Sequence, residues 1–134
     1  MTPEMLISLA KEAMAQAYAP YSGHLVGAAL LTADGRVYQG CNIENASFTP
    51  TVCAERSAFF KAVYDGVREF TAIAVVGGKN GVISGYFPPC GVCRQVMGEF
   101  CQKDFVIYMG GPDGTYLKKT LDELLPLGFS GVYL

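Results

Sequence analysis

Leu25-Val26-Gly27-Ala28-Ala29-Leu30-Leu31-Thr32, followed by Ala33-Asp34-Gly35-Arg36 and then Val37-Tyr38-Gln39-Gly40-Cys41, reads as two strands joined by a tight hairpin. The first run is apolar and bounded by breakers, which marks a buried strand. The Asp34-Gly35 pair is the residue choice that a hairpin turn favours. Val37–Cys41 is then the returning strand. Working outward from this hairpin, helical and strand patterns alternate along the rest of the chain.

Upstream, residues 3–17 read as a helix. Thr2 is a cap and Pro3 suits a first helical turn. Leu6, Leu9, Ala10, Ala13, Met14 and Ala17 recur at helical spacing until Ala19-Pro20-Tyr21-Ser22-Gly23 breaks the pattern. Downstream, residues 42–51 are polar and irregular, as befits a site loop. Ala54–Tyr64 reads as a second helix, stopped by Asp65-Gly66. Residues 70–76 form a β-branched third strand. Gly77-Gly78-Lys79-Asn80-Gly81 reads as a turn that leads into a longer loop. Residues 91–102 form a third helix and 105–109 a fourth strand. Tyr116-Leu117 is a short fifth strand, and Thr120-Leu121-Asp122-Glu123 opens a short helix with a capping pattern.

A hairpin followed by β-α-β crossovers predicts an α/β fold. The expectation is a three-layer α/β/α sandwich around a five-stranded mixed sheet. Neither a repeat nor a linker interrupts the chain, so one domain spans residues 1–134.

The bulk composition narrows the function. Hydrophobic residues make up 51% of the 134, enough for a substantial core. Net charge is -2, and Lys118-Lys119 is the only adjacent basic pair, which argues against a nucleic-acid partner. The substrate is expected to be small. The N-terminus lacks the basic start of a signal peptide, and no apolar run reaches membrane-spanning length. Five cysteines, an odd number, fit reduced thiols better than a disulfide framework, so a cytoplasmic location is expected. His24 is the only histidine, which excludes a histidine dyad or a multi-histidine metal site.

The remaining cysteine pattern carries chemistry. Cys53-Ala54-Glu55-Arg56 is followed by Pro89-Cys90-Gly91-Val92-Cys93-Arg94-Gln95. Cys53, Cys90 and Cys93 each fall at a predicted helix N-terminus, where the helix dipole favours a thiolate. Three thiolates occupy three corners of a tetrahedral zinc ion and leave the fourth for water. Glu55, in the first turn beside them, is placed to move protons for that water. Three thiolates leave the centre net negative, so a nearby cation would help. Arg56 is the stronger candidate for that supporting role and Arg94 the weaker. The competing reading is a structural zinc staple with four cysteines, drawing on Cys41 or Cys101. Cys101 lies about two turns beyond Cys93 along one helix, too far for the same ion. Cys41 is better read as a small buried hydrophobe.

These two stretches together resemble the signature of the cytidine deaminase family, in which a glutamate accompanies a Pro-Cys-x-x-Cys pair. Cys-Ala-Glu with three cysteines is similar to its small, homotetrameric, zinc-dependent members. Pro20-Tyr21-Ser22-Gly23-His24-Leu25-Val26-Gly27-Ala28-Ala29-Leu30 and Gly40-Cys41-Asn42-Ile43-Glu44-Asn45-Ala46 resemble further family motifs, so the likeness spans nearly the whole chain. It implies a cytidine-deaminase-like fold and hydrolytic deamination of cytidine and deoxycytidine to uridine and deoxyuridine in pyrimidine salvage. Glu55 would take a proton from water, pass it to N3 and then protonate the leaving amino group. Asn42 and Glu44 would bind the ribose hydroxyls, and the Ala54 N–H would hold the pyrimidine carbonyl. Phe129 would reach into a neighbouring subunit's site and pack on the base.

The sequence departs from the family in three places. His24 stands where phenylalanine is common, and is expected to line the site and alter base preference or pH dependence. Phe48 stands where tyrosine is common, and Pro88 where serine is usual. The alternatives are a deaminase of a modified cytosine nucleoside, such as a blasticidin-type antibiotic, and a non-catalytic zinc-stapled interaction module. Glu55 separates the last of these from an enzyme.

Overall fold

The structure, a computed structural model, describes residues 1–134. Nine regular elements follow in the expected order. They are α1 (Pro3–Met14), β1 (His24–Thr32), β2 (Val37–Cys41), α2 (Ala54–Tyr64), β3 (Phe70–Lys79), α3 (Gly91–Phe100), β4 (Val106–Gly110), β5 (Tyr116–Thr120) and α4 (Leu121–Leu124). The strands form one sheet in the order β2-β1-β3-β4-β5. β1 is antiparallel to both β2 and β3, β3 is parallel to β4, and β4 is antiparallel to β5. β2 therefore runs parallel to β3 with β1 between them. Both α2 and α3 are crossovers between parallel strands, and such crossovers lie on a face of the sheet.

Alternation along the strands assigns the two faces. On β3, Ala72, Ala74 and Val76 meet Leu6, Ile7 and Ala10 of α1. The alternate residues Ile73 and Val75 meet Ala58, Phe59 and Ala62 of α2 and Met97 of α3. The sandwich thus has α1 as one outer layer and α2 with α3 as the other, as the sequence predicts. Phe59 anchors the second layer, with its ring 5.1 Å from Phe70 and 6.2 Å from Phe105.

Two glycines set how closely the helices approach. A Cβ on Gly27 would lie 2.0 Å from the Ala10 carbonyl oxygen of α1. A Cβ on Gly40 would lie 2.3 Å from the Ala54 carbonyl oxygen and 2.6 Å from the Ala58 nitrogen of α2. Gly27 pairs with Cys41 and Gly40 with Ala28 in the β1–β2 ladder. The two helices therefore press backbone to backbone on opposite faces of one hairpin.

The elements depart from the sequence reading mainly at their ends. α1 stops at Met14 rather than at residue 17. Beyond it Tyr18 is drawn into a ladder, donating to the Asn42 carbonyl at 2.9 Å and accepting from Glu44 N at 2.9 Å. β3 runs on through Gly77, Gly78 and Lys79, which were expected to turn, because Val26, Leu25 and His24 of β1 pair with them. α3 ends at Phe100 instead of residue 102. β5 extends to Thr120, with Lys118 and Lys119 on this edge strand. Local signals fared better. Thr2 caps α1 through Met5 N, and Thr120 with Glu123 forms a capping box. In the loop before Pro88, Phe87 packs on the core while Tyr86 leans on Gly111. No helix is long and apolar enough to cross a membrane.

Candidate active site

Cys53 is the N-cap of α2 and Cys90 the N-cap of α3, both in extended conformation. Neither side chain makes a capping hydrogen bond, so both sulfurs remain available. Cys93 lies in the first turn of α3 and is fully buried. The sheet brings the two helix starts together. The Cys53 and Cys90 sulfurs are 3.7 Å apart and those of Cys90 and Cys93 3.5 Å apart. All three lie within 4.8 Å of one another. Three thiolates at the usual zinc–sulfur length on tetrahedral corners stand about 3.8 Å apart, so the sulfurs are spaced to hold zinc.

The electrostatics favour a thiolate at Cys53. Hydrogen bonds from the Cys93 thiol, the Arg56 guanidinium and Cys90 outweigh burial and bring Cys53 down to about 5. The Cys53 thiolate in turn holds the proton on Cys93, whose pKa rises. Arg56 donates through Nη2 to the Cys53 sulfur at 3.4 Å, while its Nε is buried without a partner. Arg56 is thus the arginine that reaches the cluster. Arg94 does not, because it is tied to the Pro89 carbonyl at 2.8 Å and the Leu124 carbonyl at 2.9 Å.

Glu55 is only 3% exposed. Burial, aided by the Cys53 charge, pushes its pKa up to about 7 against the opposing pull of its own backbone N–H, Cys93 and Arg56. A carboxyl that titrates near neutrality can both take and return a proton. Cys41 and Cys101 lie outside the cluster. The Cys41 thiol reaches the Gln16 carbonyl instead, and burial alone lifts Cys101 to about 12. A four-cysteine staple therefore does not form.

A match to the family described as cytidine and deoxycytidylate deaminase zinc-binding region covers residues 1–109. The chain belongs to that family. It is 52% identical over 97% of its length to a cytidine deaminase from Sporosarcina psychrophila, covering 93% of that protein. It is 49% identical to a cytidine deaminase from Halalkalibacterium halodurans, again over 97% of this chain and 96% of the relative. The crystal structure of a cytidine deaminase from Burkholderia pseudomallei matches with a TM-score of 0.89 at 46% identity, covering 96% of this chain and all of the other. Zinc is accordingly this deaminase's cofactor, and Cys53, Cys90 and Cys93 are spaced to bind it.

Of the other expected site residues, Asn42 and Ala54 adjoin this centre. Ile43 and Val52 exchange both backbone hydrogen bonds at 3.0 Å. That antiparallel bridge sets Asn42 beside Cys53 and Glu44 beside Thr51. Asn42 is buried, and its amide ties β1 down, accepting from Val26 N at 2.9 Å and donating to the His24 carbonyl at 2.8 Å. Glu44 accepts from Tyr21 N and Ser22 N, each at 3.0 Å, and from the Ser22 hydroxyl. Those bonds, Ser22's hydroxyl first, hold its carboxyl below the usual range. Ala54 opens α2 and is fully buried.

Phe48 is 80% exposed, in a cleft of about 370 Å³ that it lines with Tyr21, Ser22, Glu44 and Thr51. Phe129 is 59% exposed and stacks on Tyr133, and Gln95 of α3 holds its carbonyl at 2.8 Å. The sequence reading assigned no role to Gln95 or Lys79. Lys79 donates to the Ser22 carbonyl at 2.6 Å across 57 positions, a pairing no local pattern announces.

Proposed function

We propose that this protein is a zinc-dependent cytidine deaminase acting on cytidine and deoxycytidine, with water as co-substrate and ammonia as the second product. The observation that carries the reading is Glu55, buried in the first turn of α2 beside the Cys53–Cys90–Cys93 cluster. When bound there, zinc supplies an activated water. Glu55 takes a proton from water and delivers it to N3 of the base as the oxygen of that water bonds to C4. It then takes the remaining proton from that oxygen and passes it to the exocyclic nitrogen, so that the C4–N bond breaks, ammonia departs and the uracil carbonyl remains. The Ala54 N–H, at the open start of α2, donates to the pyrimidine carbonyl. Asn42 and Glu44 bind the sugar hydroxyls, and His24 at the head of β1 lines the base side.

A zinc staple would not need a carboxyl held near neutral pKa, and 52% identity to a cytidine deaminase favours the unmodified nucleoside. Phe129 is bare in a single chain, as are Phe60 and Tyr64 on α2. That exposure supports a homotetramer in which Phe129 completes a neighbour's site, each subunit being one domain of residues 1–134. Reduced, metal-binding thiols suit the cytoplasm. The test is ultraviolet measurement of cytidine and deoxycytidine loss, with metal analysis of the same sample. A zinc-loaded protein inactive on both would overturn the reading.

A further inference from the structure

We infer that Ser22 and Lys79 are positioning residues that aim Glu44 at the sugar of the substrate. This inference rests on the assignment of Glu44 to a sugar hydroxyl. Each carboxylate oxygen has about two acceptor sites. Both sites on Glu44 Oε1 are filled, by Tyr21 N and Ser22 N at 3.0 Å each. Oε2 accepts from the Ser22 hydroxyl and keeps a single vacancy. The Ser22 oxygen is itself held in place, because it accepts from His24 N at 3.0 Å. The free acceptor site of Glu44 therefore points where the segment 21–24 directs it.

That segment is held from β3. The Lys79 ammonium donates to the Ser22 carbonyl at 2.6 Å, and Asn80 N donates to the Gly23 carbonyl at 2.7 Å. Lys79 itself is the last residue of β3 and pairs with His24 across the ladder. Gly23 adopts the left-handed φ of +73° that lets the chain turn from this clamp into β1, with Lys79 Nζ 3.3 Å from where a Cβ would be. A strand of the rigid sheet thus fixes a loop, and the loop fixes the carboxylate. Ser22 and Glu44 also line the 370 Å³ cleft, so the vacancy borders open space.

The test is steady-state kinetics of the zinc-loaded full chain with cytidine and with 2′,3′-dideoxycytidine, which lacks the 2′ and 3′ hydroxyls of the sugar ring. Ser22→Ala and Lys79→Met should each raise KM for cytidine about 10-fold, the size expected when a charge-assisted hydrogen bond is lost, with kcat held within about twofold. On dideoxycytidine the same variants should match wild type within about twofold, and Lys79→Arg, which keeps a cationic donor, should recover most of the KM for cytidine. Equal losses on both nucleosides would show a merely structural loop and overturn the inference while Glu44 keeps its assignment. Unchanged KM for cytidine in both variants would overturn it as well. A wild-type enzyme that treats the two nucleosides alike would instead remove the Glu44 assignment, and the inference with it.

Discussion

Replacing Gly40 by alanine should damage the metal centre from behind. The added Cβ would stand 2.3 Å from the Ala54 carbonyl oxygen, 2.6 Å from Ala58 N and 3.0 Å from the Ala58 Cβ. Ordinary contact begins near 3.4 Å, so α2 must lift from the sheet by about 1 Å. The first two obstacles are helix backbone, which cannot swing aside as a side chain would. Cys53 directly precedes Ala54 and moves with it, whereas Cys90 and Cys93 ride on α3. Metal–ligand lengths tolerate about 0.2 Å, so a shift of this size strains the bond to Cys53. Zinc affinity should fall about 10- to 100-fold, and overpacking should cost about 1–3 kcal/mol of stability. Gly27→Ala is the matched control, because its Cβ would strike Ala10 and Met14 of α1 on the opposite face. Chelator competition reads the zinc term and urea unfolding of the same variants reads the stability term. If Gly27→Ala loses zinc as readily as Gly40→Ala at equal loss of stability, the effect is general loosening and the geometric reasoning fails.

Other substitutions probe the site more directly. Glu55→Gln should lower kcat about a thousandfold while zinc content and the melting profile stay intact, because the amide fills the same buried space without moving protons; retention of activity would displace Glu55 from its role. Cys41→Ala should leave zinc stoichiometry unchanged, since that thiol faces the Gln16 carbonyl, and metal analysis showing a loss would revive a four-cysteine site. His24→Phe should change KM or kcat for cytidine, and identical kinetics in both proteins would remove His24 from the base site. Cys101 provides a pH test. Its folded pKa is raised from 9.0 to about 12 by burial, so its contribution is complete below 9 and is lost as pH rises toward 12. Between pH 8 and pH 10 wild type should lose roughly 1 kcal/mol more than Cys101→Val in urea unfolding, and parallel curves would refute the assignment.

What was legible in the sequence was what neighbouring residues decide. Thr2 with Pro3, the Asp34-Gly35 turn and the Thr120–Glu123 capping box are local bargains between side chain and backbone, and each forms as read. Gly77, Gly78 and Lys79 looked like a turn because glycine is a poor strand former, yet β1 supplies partners 51 to 55 positions away in sequence that outweigh the propensity. The end of α1 shows the same conflict. The helical spacing continues to Ala17, but Tyr18 is claimed by Asn42 and Glu44. At the site, the cysteines were readable because they sit at the starts of two recognisable helices. The choice between Arg56 and Arg94 was not. Each follows a cysteine within three positions, and only the fold sends one guanidinium to a sulfur and the other to the Pro89 and Leu124 carbonyls.

The two halves of the site rest on different kinds of support, and this explains how they work together. The metal half is fixed by helix starts pressed onto the sheet, so its geometry follows the core. The proposed sugar half is a loop whose Glu44 carboxylate accepts hydrogen bonds from residues 21 and 22. Between them stands the Ile43–Val52 bridge, which sets Asn42 beside Cys53 and Glu44 beside Thr51. Because the bridge is mutual backbone pairing, it fixes the spacing between the 42–44 segment and Cys53 without depending on any side chain. Under the proposed assignment, substitution at His24 or Phe48 should alter KM for cytidine while zinc affinity, which depends on that spacing, stays unchanged.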